Sequence, residues 1–273
     1  MVNHDILSGM YIPTMQGLSA TDSKHAMVVT EVLVRGILSR SKVFDYVVNA
    51  YVGCEHGCIY CYARFMKRFT GHIERWGEFV DAKINAPDLL RRQITKARPG
   101  RVWVSGVCDP YQPLEKKYQL TRKCLEVLLR HRWEVTIQTK SPLVLRDMGL
   151  LTEAPGLEVG LTITTADEDI RRLFEPKAPP IEERLRALEE LHRAGIKTFA
   201  MIAPLLPGAE GLPAMLDSKV DEVLIDRMNY HYADWAYRKH GLEGALSDGF
   251  FYSTARELAA AFAAQGIACQ ILF

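Results

Sequence analysis

Net charge is nearly absent from this chain: 34 Lys and Arg stand against 33 Asp and Glu, leaving +1. A nucleic-acid-binding domain is usually clearly basic, so charge does not advertise that partner, although a local basic groove stays compatible with it. Long apolar runs are missing too. The longest weakly charged stretch, Thr198 to Leu216, is interrupted by Pro204, Pro207, Gly208, Gly211 and Pro213. It reads as a buried strand and loop, not as the roughly 20 apolar residues of a membrane span. The opening Met-Val-Asn-His-Asp lacks the basic-then-apolar signature of a secretory signal. No internal repeat or low-complexity segment occurs. Cysteine is scarce, six in 273 residues, and the six are not spaced like a disulfide framework. A reducing, cytosolic setting is expected.

What cysteine there is concentrates in one place. Cys54 to Cys61 reads C-E-H-G-C-I-Y-C and holds three of the six. Thiolates in a short loop suit zinc, copper or iron–sulfur. Structural zinc takes four ligands, usually as two pairs, and no second pair follows: Cys108, Cys124 and Cys269 are scattered. His56 would serve as a fourth ligand only if the loop doubled back. A four-iron cluster normally takes four thiolates. Three would leave one iron open to an outside ligand, and an open metal position is a catalytic feature. Plain packing of the three cysteines is the bland alternative.

Strand and helix patterns alternate from about residue 44 onward, which predicts parallel strands with crossover helices. Thr30 to Leu38 reads as a strand or short helix. Tyr46 to Val52 is a strand, and a helix follows from about Tyr62 to Phe69. Asn85 caps a helix with Pro87 in its first turn, running to about Ala97. Arg101 to Val107 is a strand; Thr121 caps a helix that buries Cys124; Glu134 to Lys140 is a strand; Ser141 and Pro142 open another helix. Leu157 to Thr165 alternates, with Glu158, Gly160, Thr162 and Thr164 opposite Leu157, Val159, Leu161 and Ile163. Pro180 to Ala194 is an amphipathic helix closed by Gly195. Lys197 to Leu205 and Asp221 to Met228 are strands. A capping box at Thr254–Glu257 starts a helix ending at Gly266, and Ile267 to Phe273 docks as a last strand. Six strands precede that terminal segment. The expectation is an α/β fold, a partial (β/α)6 TIM-type barrel with the thiol loop after its first strand. Residues 1–42 form an extension packing on the barrel formed by 43–273.

Such barrels carry chemistry at the carboxyl ends of their strands. Those ends hold the thiol loop, Cys108-Asp109, Lys140, Thr162 and Thr164, Pro207-Gly208, and Arg227 with Asn229. Lys140 follows Thr136 and Gln138 on a polar strand face that must look inward. His4, His25 and His231 read as surface residues, and Arg184 reads as a residue of a solvated helix face, with a reach to a carboxylate as the other reading.

The string Asn49-Ala-Tyr51-Val-Gly53-Cys54-Glu-His56-Gly57-Cys58-Ile-Tyr60-Cys61-Tyr62-Ala63-Arg64 resembles the radical S-adenosylmethionine (SAM) superfamily, in the branch related to spore photoproduct lyase. The resemblance covers about residues 43–230, most specifically at the thiol loop. It implies a 4Fe-4S cluster on Cys54, Cys58 and Cys61. The open iron would chelate the amino and carboxylate groups of SAM, and reductive cleavage would yield methionine and a 5′-deoxyadenosyl radical. It further implies a SAM carboxylate contact from Lys140, contacts to the ribose or methionine part from Thr162 and Thr164, and Tyr60 near the adenine. Tyr62 would relay a radical, and Cys108 would return a hydrogen atom to the product radical. Two features depart from that last role. The alternation Val102, Val104, Gly106 sets Cys108 among apolar residues, and Asp109-Pro110-Tyr111-Gln112-Pro113 looks like a sister group in which threonine is usual at position 108. The implied partners are an external electron donor of the flavodoxin or ferredoxin type and no membrane. Three activities follow as readings: a lyase-like enzyme on damaged or modified nucleic acid such as DNA, a radical enzyme on a peptide or small molecule, or an iron–sulfur binding or redox-sensing protein that does not turn SAM over.

Overall fold

The computed structural model describes the backbone of residues 12–13 and the whole of residues 27–273, so His4 and His25 lie outside the described residues. Two compact units emerge from the internal packing. The first takes the described residues up to Glu55, then Ala63–Ile137 and Glu153–Leu157; the second takes His56–Tyr62, Gln138–Thr152 and Glu158–Phe273.

The first unit contains a small mixed sheet. Its strands are β1 (Ile12–Pro13), β2 (Val28–Leu33), β5 (Tyr51–Val52) and β6 (Phe79–Lys83), in the order β1-β2-β6-β5. Strands β2 and β6 run parallel, with Val28 opposite Phe79, while β5 meets β6 antiparallel. Beside it lies a second run of strands. β3 (Leu38–Arg40) pairs antiparallel with β4 (Tyr46–Val48); β4 pairs parallel with β7 (Val102–Val104), and β7 with the start of β8 (Val135–Thr139). Val102, Val104, Val135 and Ile137 are fully or nearly fully buried, as expected of parallel strands covered on both faces.

In the second unit β9 (Leu157–Thr162), β10 (Lys197–Ile202), β11 (Glu222–Ile225) and β12 (Ala268–Ile271) pair parallel in chain order. Gly160 sits opposite Phe199 in the register. A Cβ there would lie 2.1 Å from Phe199 Cε2, so the ring occupies the space a side chain would need. The helix Ile181–Arg193 covers this region through Ile181, Leu188 and Leu191, each buried. Burying one such side chain is worth about 1.5–3 kcal/mol. Glu182 and Glu183 in its first turn, and His192 and Arg193 in its last, oppose the helix dipole favourably.

Among the described residues, β4, β7, β8, β9, β10 and β11 fall where the sequence places six strands before the terminal one; the expected strand Tyr46–Val52 divides into β4 and β5, and β3 and β6 are additional. Several end signals are not where the sequence places them. Asn85 precedes a helix, Ala86–Ile94, but makes no side-chain cap. Its amide instead accepts from Val34 N (3.0 Å) and donates to Val34 O (2.9 Å), tying the helix start to the chain beyond β2. Thr121 lies inside the helix Leu120–Arg130, donating to Pro110 O at 2.7 Å. The capping role there falls to the buried Glu115 carboxylate, which accepts from Thr121 N and Arg122 N. Thr254 is interior too. The last helix starts at Asp248, where the Ser247 hydroxyl accepts from Phe250 N. Ser141 does cap as expected, accepting from Leu143 N. No helix among the described residues is long and apolar enough to cross a membrane.

Candidate active site

The thiol loop leaves β5 through Gly53, whose φ of +86° belongs to glycine. A Cβ there would fall 2.3 Å from Phe79 O, so the close approach to β6 excludes any side chain. In the first unit Gln112, itself fully buried, clamps the loop's start. Its Nε2 donates to Gly53 O at 3.3 Å, and its Oε1 accepts from Glu55 N at 3.0 Å. Glu55 in turn accepts from Leu114 N at 2.5 Å. The segment Asp109–Pro113, where the sequence departs from the lyase, thereby supplies the residue that holds the loop's entrance.

In the second unit the rest of the loop lies along residues 174–177. Ile59 N donates to Phe174 O at 2.9 Å and Lys177 N donates to His56 O at 3.3 Å. Cys61 N turns back on Cys58 O at 3.2 Å. Cys54 and Cys58 are buried, Cys61 is half-buried, and all six cysteines of the chain are free thiols. Cys58 packs in an apolar cluster with Tyr60, Phe174, Leu206 and Tyr237. Burial pushes its thiol up to about 12, with Lys140 acting in the opposite sense. Left to itself the sulfur stays protonated at neutral pH; a coordinated metal would deprotonate it.

Behind the loop is a buried charge network that the sequence does not announce. Its centre is Glu175, fully buried. Tyr60 OH and Thr164 Oγ1 (3.1 Å) donate to Glu175 Oε1. Lys140 Nζ stands 3.8 Å from the same oxygen and 5.7 Å from the centroid of the Tyr60 ring. The other oxygen forms an ion pair with Arg184 Nη2 at 2.5 Å. Arg184 is not solvated, as its helical position suggests, but fully buried. It spends its remaining donors on Pro179 O (2.9 Å) and Thr162 O (3.0 Å). Burial alone would raise the Glu175 carboxyl, but Arg184, Lys140 and the Tyr60 hydroxyl outweigh it and hold it at about 2. Burial and the adjoining carboxylate keep the Tyr60 phenol protonated, its pKa well above the ordinary value.

Of the residues expected in the site, Tyr60, Lys140 and Thr164 therefore meet on one carboxylate. Thr162 Oγ1 is half a step away, accepting from Gln138 Nε2 at 3.1 Å. Tyr62 stacks on Tyr230, rings 6.0 Å apart and 19° from parallel, and Tyr230 stacks on Tyr232 at 5.9 Å and 7°. His231 is exposed and pairs with Asp234, a surface residue as read. Cys124 is fully buried in the core, also as read.

Cys108 belongs to the first unit and is half-buried. Its sulfur lies 3.1 Å from Ser105 Oγ and 3.5 Å from Tyr51 O. The loop carrying it is shaped by Asn49, whose Oδ1 accepts from Ser105 Oγ (2.7 Å), Gly106 N (2.8 Å) and Val107 N (3.1 Å). Burial pushes the Cys108 thiol up to about 12, against the lowering effect of Ser105.

Glu175, Gln112 and Asn49 were not singled out from sequence. Asn49 opens the resembling string, which is a signal of position but not of role. Glu175 stands alone between Phe174 and Pro176 and shows no periodicity that would mark it.

No group of three or more His, Cys, Asp or Glu among the described residues surrounds a single ion-sized point. A lone zinc needs its sulfurs about 2.3 Å from one centre, whereas thiolates on a multi-iron cluster bind different irons. Three soft thiol donors on one short loop, with no second pair of ligands among the described residues, fit the second arrangement better than the first.

A sequence family described as the radical SAM superfamily matches residues 48–210. An uncharacterised protein of Methanocaldococcus jannaschii is 43% identical over 162 residues, covering 59% of this chain and 61% of that one. The chain thus matches about six-tenths of the length of that relative. Among solved structures, spore photoproduct lyase complexed with a dinucleoside spore photoproduct superposes with a TM-score of 0.66 at 13% identity, over 95% of this chain and 87% of that one. Streptococcus suis SuiB bound to precursor peptide SuiA gives 0.56 at 13% identity, over 83% and 48%. At such identities the structural matches speak for the fold: α/β, of the partial-barrel kind.

Proposed function

The chain belongs to the radical SAM superfamily, and on that premise we propose that it is an enzyme holding a 4Fe-4S cluster on Cys54, Cys58 and Cys61. When bound, the cluster supplies the electron that splits SAM into methionine and a 5′-deoxyadenosyl radical. The chain's own residues do the rest. Lys140 supplies a positive charge for the SAM carboxylate, and Thr162 and Thr164 present hydroxyls to its ribose or methionine part. Tyr60 offers its ring face to the adenine. Cys108 keeps an intact S–H at neutral pH, the form that gives up a hydrogen atom, and Tyr62 stands ready as a relay. The observation that carries this reading is the loop itself: three free thiols in eight residues, backed by Tyr60, Lys140 and Thr164 gathered on Glu175. Six free thiols also suit a reducing cytosol.

The decisive experiment is anaerobic reconstitution with iron and sulfide, then addition of dithionite and SAM, with 5′-deoxyadenosine quantified by mass spectrometry. Wild type should form it and Cys58→Ala should not. A loaded cluster that cycles without consuming SAM, with every candidate substrate present, would replace the enzyme reading by a binding or redox-sensing one.

For the substrate we favour damaged or modified nucleic acid, because the dinucleoside-bound lyase shares its fold with nearly the whole chain. Affinity for an ultraviolet-irradiated thymine-rich oligonucleotide should fall steeply with salt. The match to SuiB supports a second reading, a peptide substrate. Deoxyadenosine formation without any oligonucleotide affinity would favour it.

A further inference from the structure

The segment carrying Cys58 and Cys61 is backed by more fixed charge than its packing needs. Glu175 contributes one negative charge; Arg184 and Lys140 contribute two positive ones. Glu175 and Arg184 are fully buried and Lys140 is mostly so. Glu175 and Lys140 lie against Tyr60 of the thiol loop, and Arg184 is paired to Glu175 behind it. Phe174 O holds Ile59 N, Tyr60 OH holds the Glu175 carboxylate, and Cys58 packs in the same apolar cluster as Phe174. Charges buried this close are scarcely screened by salt.

Iron–sulfur reduction potentials respond to local net charge and hydrogen bonding. A negative charge disfavours uptake of an electron and a positive one favours it. We propose that Glu175, set between Arg184 and Lys140, poises the reduction potential of the cluster carried by the Cys54–Cys61 loop. The inference rests on the cluster reading given above. Glu175 holds the potential down; Arg184 and Lys140 hold it up. In the step concerned, one electron passes from an external donor of the flavodoxin or ferredoxin class to the cluster, and no bond to Glu175 forms or breaks. Its carboxyl, held at about 2 by its cationic neighbours against the push of burial, is charged at every working pH. The charge is thus a constant of the site and not a switch.

The test is a mediated potentiometric titration of the full chain, anaerobically reconstituted and followed by electron paramagnetic resonance. Wild type, Glu175→Gln, Glu175→Gln/Arg184→Met and Lys140→Met are compared at equal iron content. Glu175→Gln should shift the midpoint upward, the double variant should bring it back toward wild type, and Lys140→Met should shift it downward. Opposite signs are what distinguish charge from loosened packing, which would move Glu175→Gln and Lys140→Met the same way. Equal midpoints in wild type and Glu175→Gln overturn the proposal. Should Glu175→Gln fail to load, an unshifted Lys140→Met overturns it instead. If wild type itself takes up no four-iron cluster, the cluster reading falls first and this inference with it. A loaded, SAM-cleaving wild type with unshifted variants sinks the inference alone.

Discussion

Ser105 Oγ donates to Asn49 Oδ1 at 2.7 Å while standing 3.1 Å from Cys108 Sγ. One buried amide oxygen thereby organises the loop that presents the thiol. Asn49→Ala removes the acceptor of three hydrogen bonds and strands their donors. A loss of about 1–3 kcal/mol is expected for leaving buried groups unpaired, read by urea unfolding. Cys108 should also become more reactive toward alkylating reagents. An unchanged alkylation rate would mean the loop keeps its shape without Asn49.

The raised Cys108 thiol gives a prediction in pH. With its pKa moved from 9.0 to about 12, iodoacetamide should modify it slowly at pH 8, and the rate should still be climbing at pH 10. Site-resolved mass spectrometry against a free cysteine standard, which levels off near its own pKa of about 8.5, makes the comparison.

Arg184 and Glu175 should behave as a unit. Arg184→Met alone leaves a buried carboxylate without its closest cation and should cost about 3–5 kcal/mol. Adding Glu175→Gln should recover a large part of that loss. Additive effects in a double-mutant cycle would contradict the direct pairing of these side chains.

Acid should act through the same carboxyl. Its folded pKa of about 2 lies below the ordinary 4.5, so the folded state binds its proton less tightly than the unfolded chain does. The stability it contributes is fully present above about pH 4.5 and is lost as pH falls toward 2. Glu175→Gln should flatten this part of the pH–stability curve, measured as the denaturant midpoint from pH 6 downward.

Gly160→Ala should destabilise by about 1–3 kcal/mol through overpacking, because the new methyl meets the Phe199 ring at 2.1 Å. Phe199→Leu in the same chain should relieve part of it, visible as a partial return of Tm.

The strand–helix alternation and the thiol loop were legible because each rests on a local rule: period, punctuation or ligand spacing. What escaped was decided by distant partners. Asn85 has the sequence of a helix cap, yet its amide is claimed by Val34, 51 residues away. Arg184 lies on a helix whose pattern points it to water, yet a carboxylate from the preceding loop draws it inward. Strand β6 is only five residues long and buries the charged Asp81 among its apolar neighbours, so no apolar run marks it as a strand. The candidate site divides along the same line. Cys54, Cys58 and Cys61 announce themselves by spacing, Lys140 and Thr164 by their places at strand ends, and Tyr60 by its place in the string that resembles the radical SAM family. Glu175, on which the last three converge, is a lone acid in an aperiodic turn.

The two backbone hydrogen bonds from Ile59 to Phe174 and from Lys177 to His56 involve no side-chain atoms. The two contacts themselves need only backbone groups, with no proline where an N–H must donate, whereas the side chains of His56 and Phe174 are buried and fixed by packing. Of the four positions only Lys177 is exposed, so sequence drift that leaves the thiols in place has its room there.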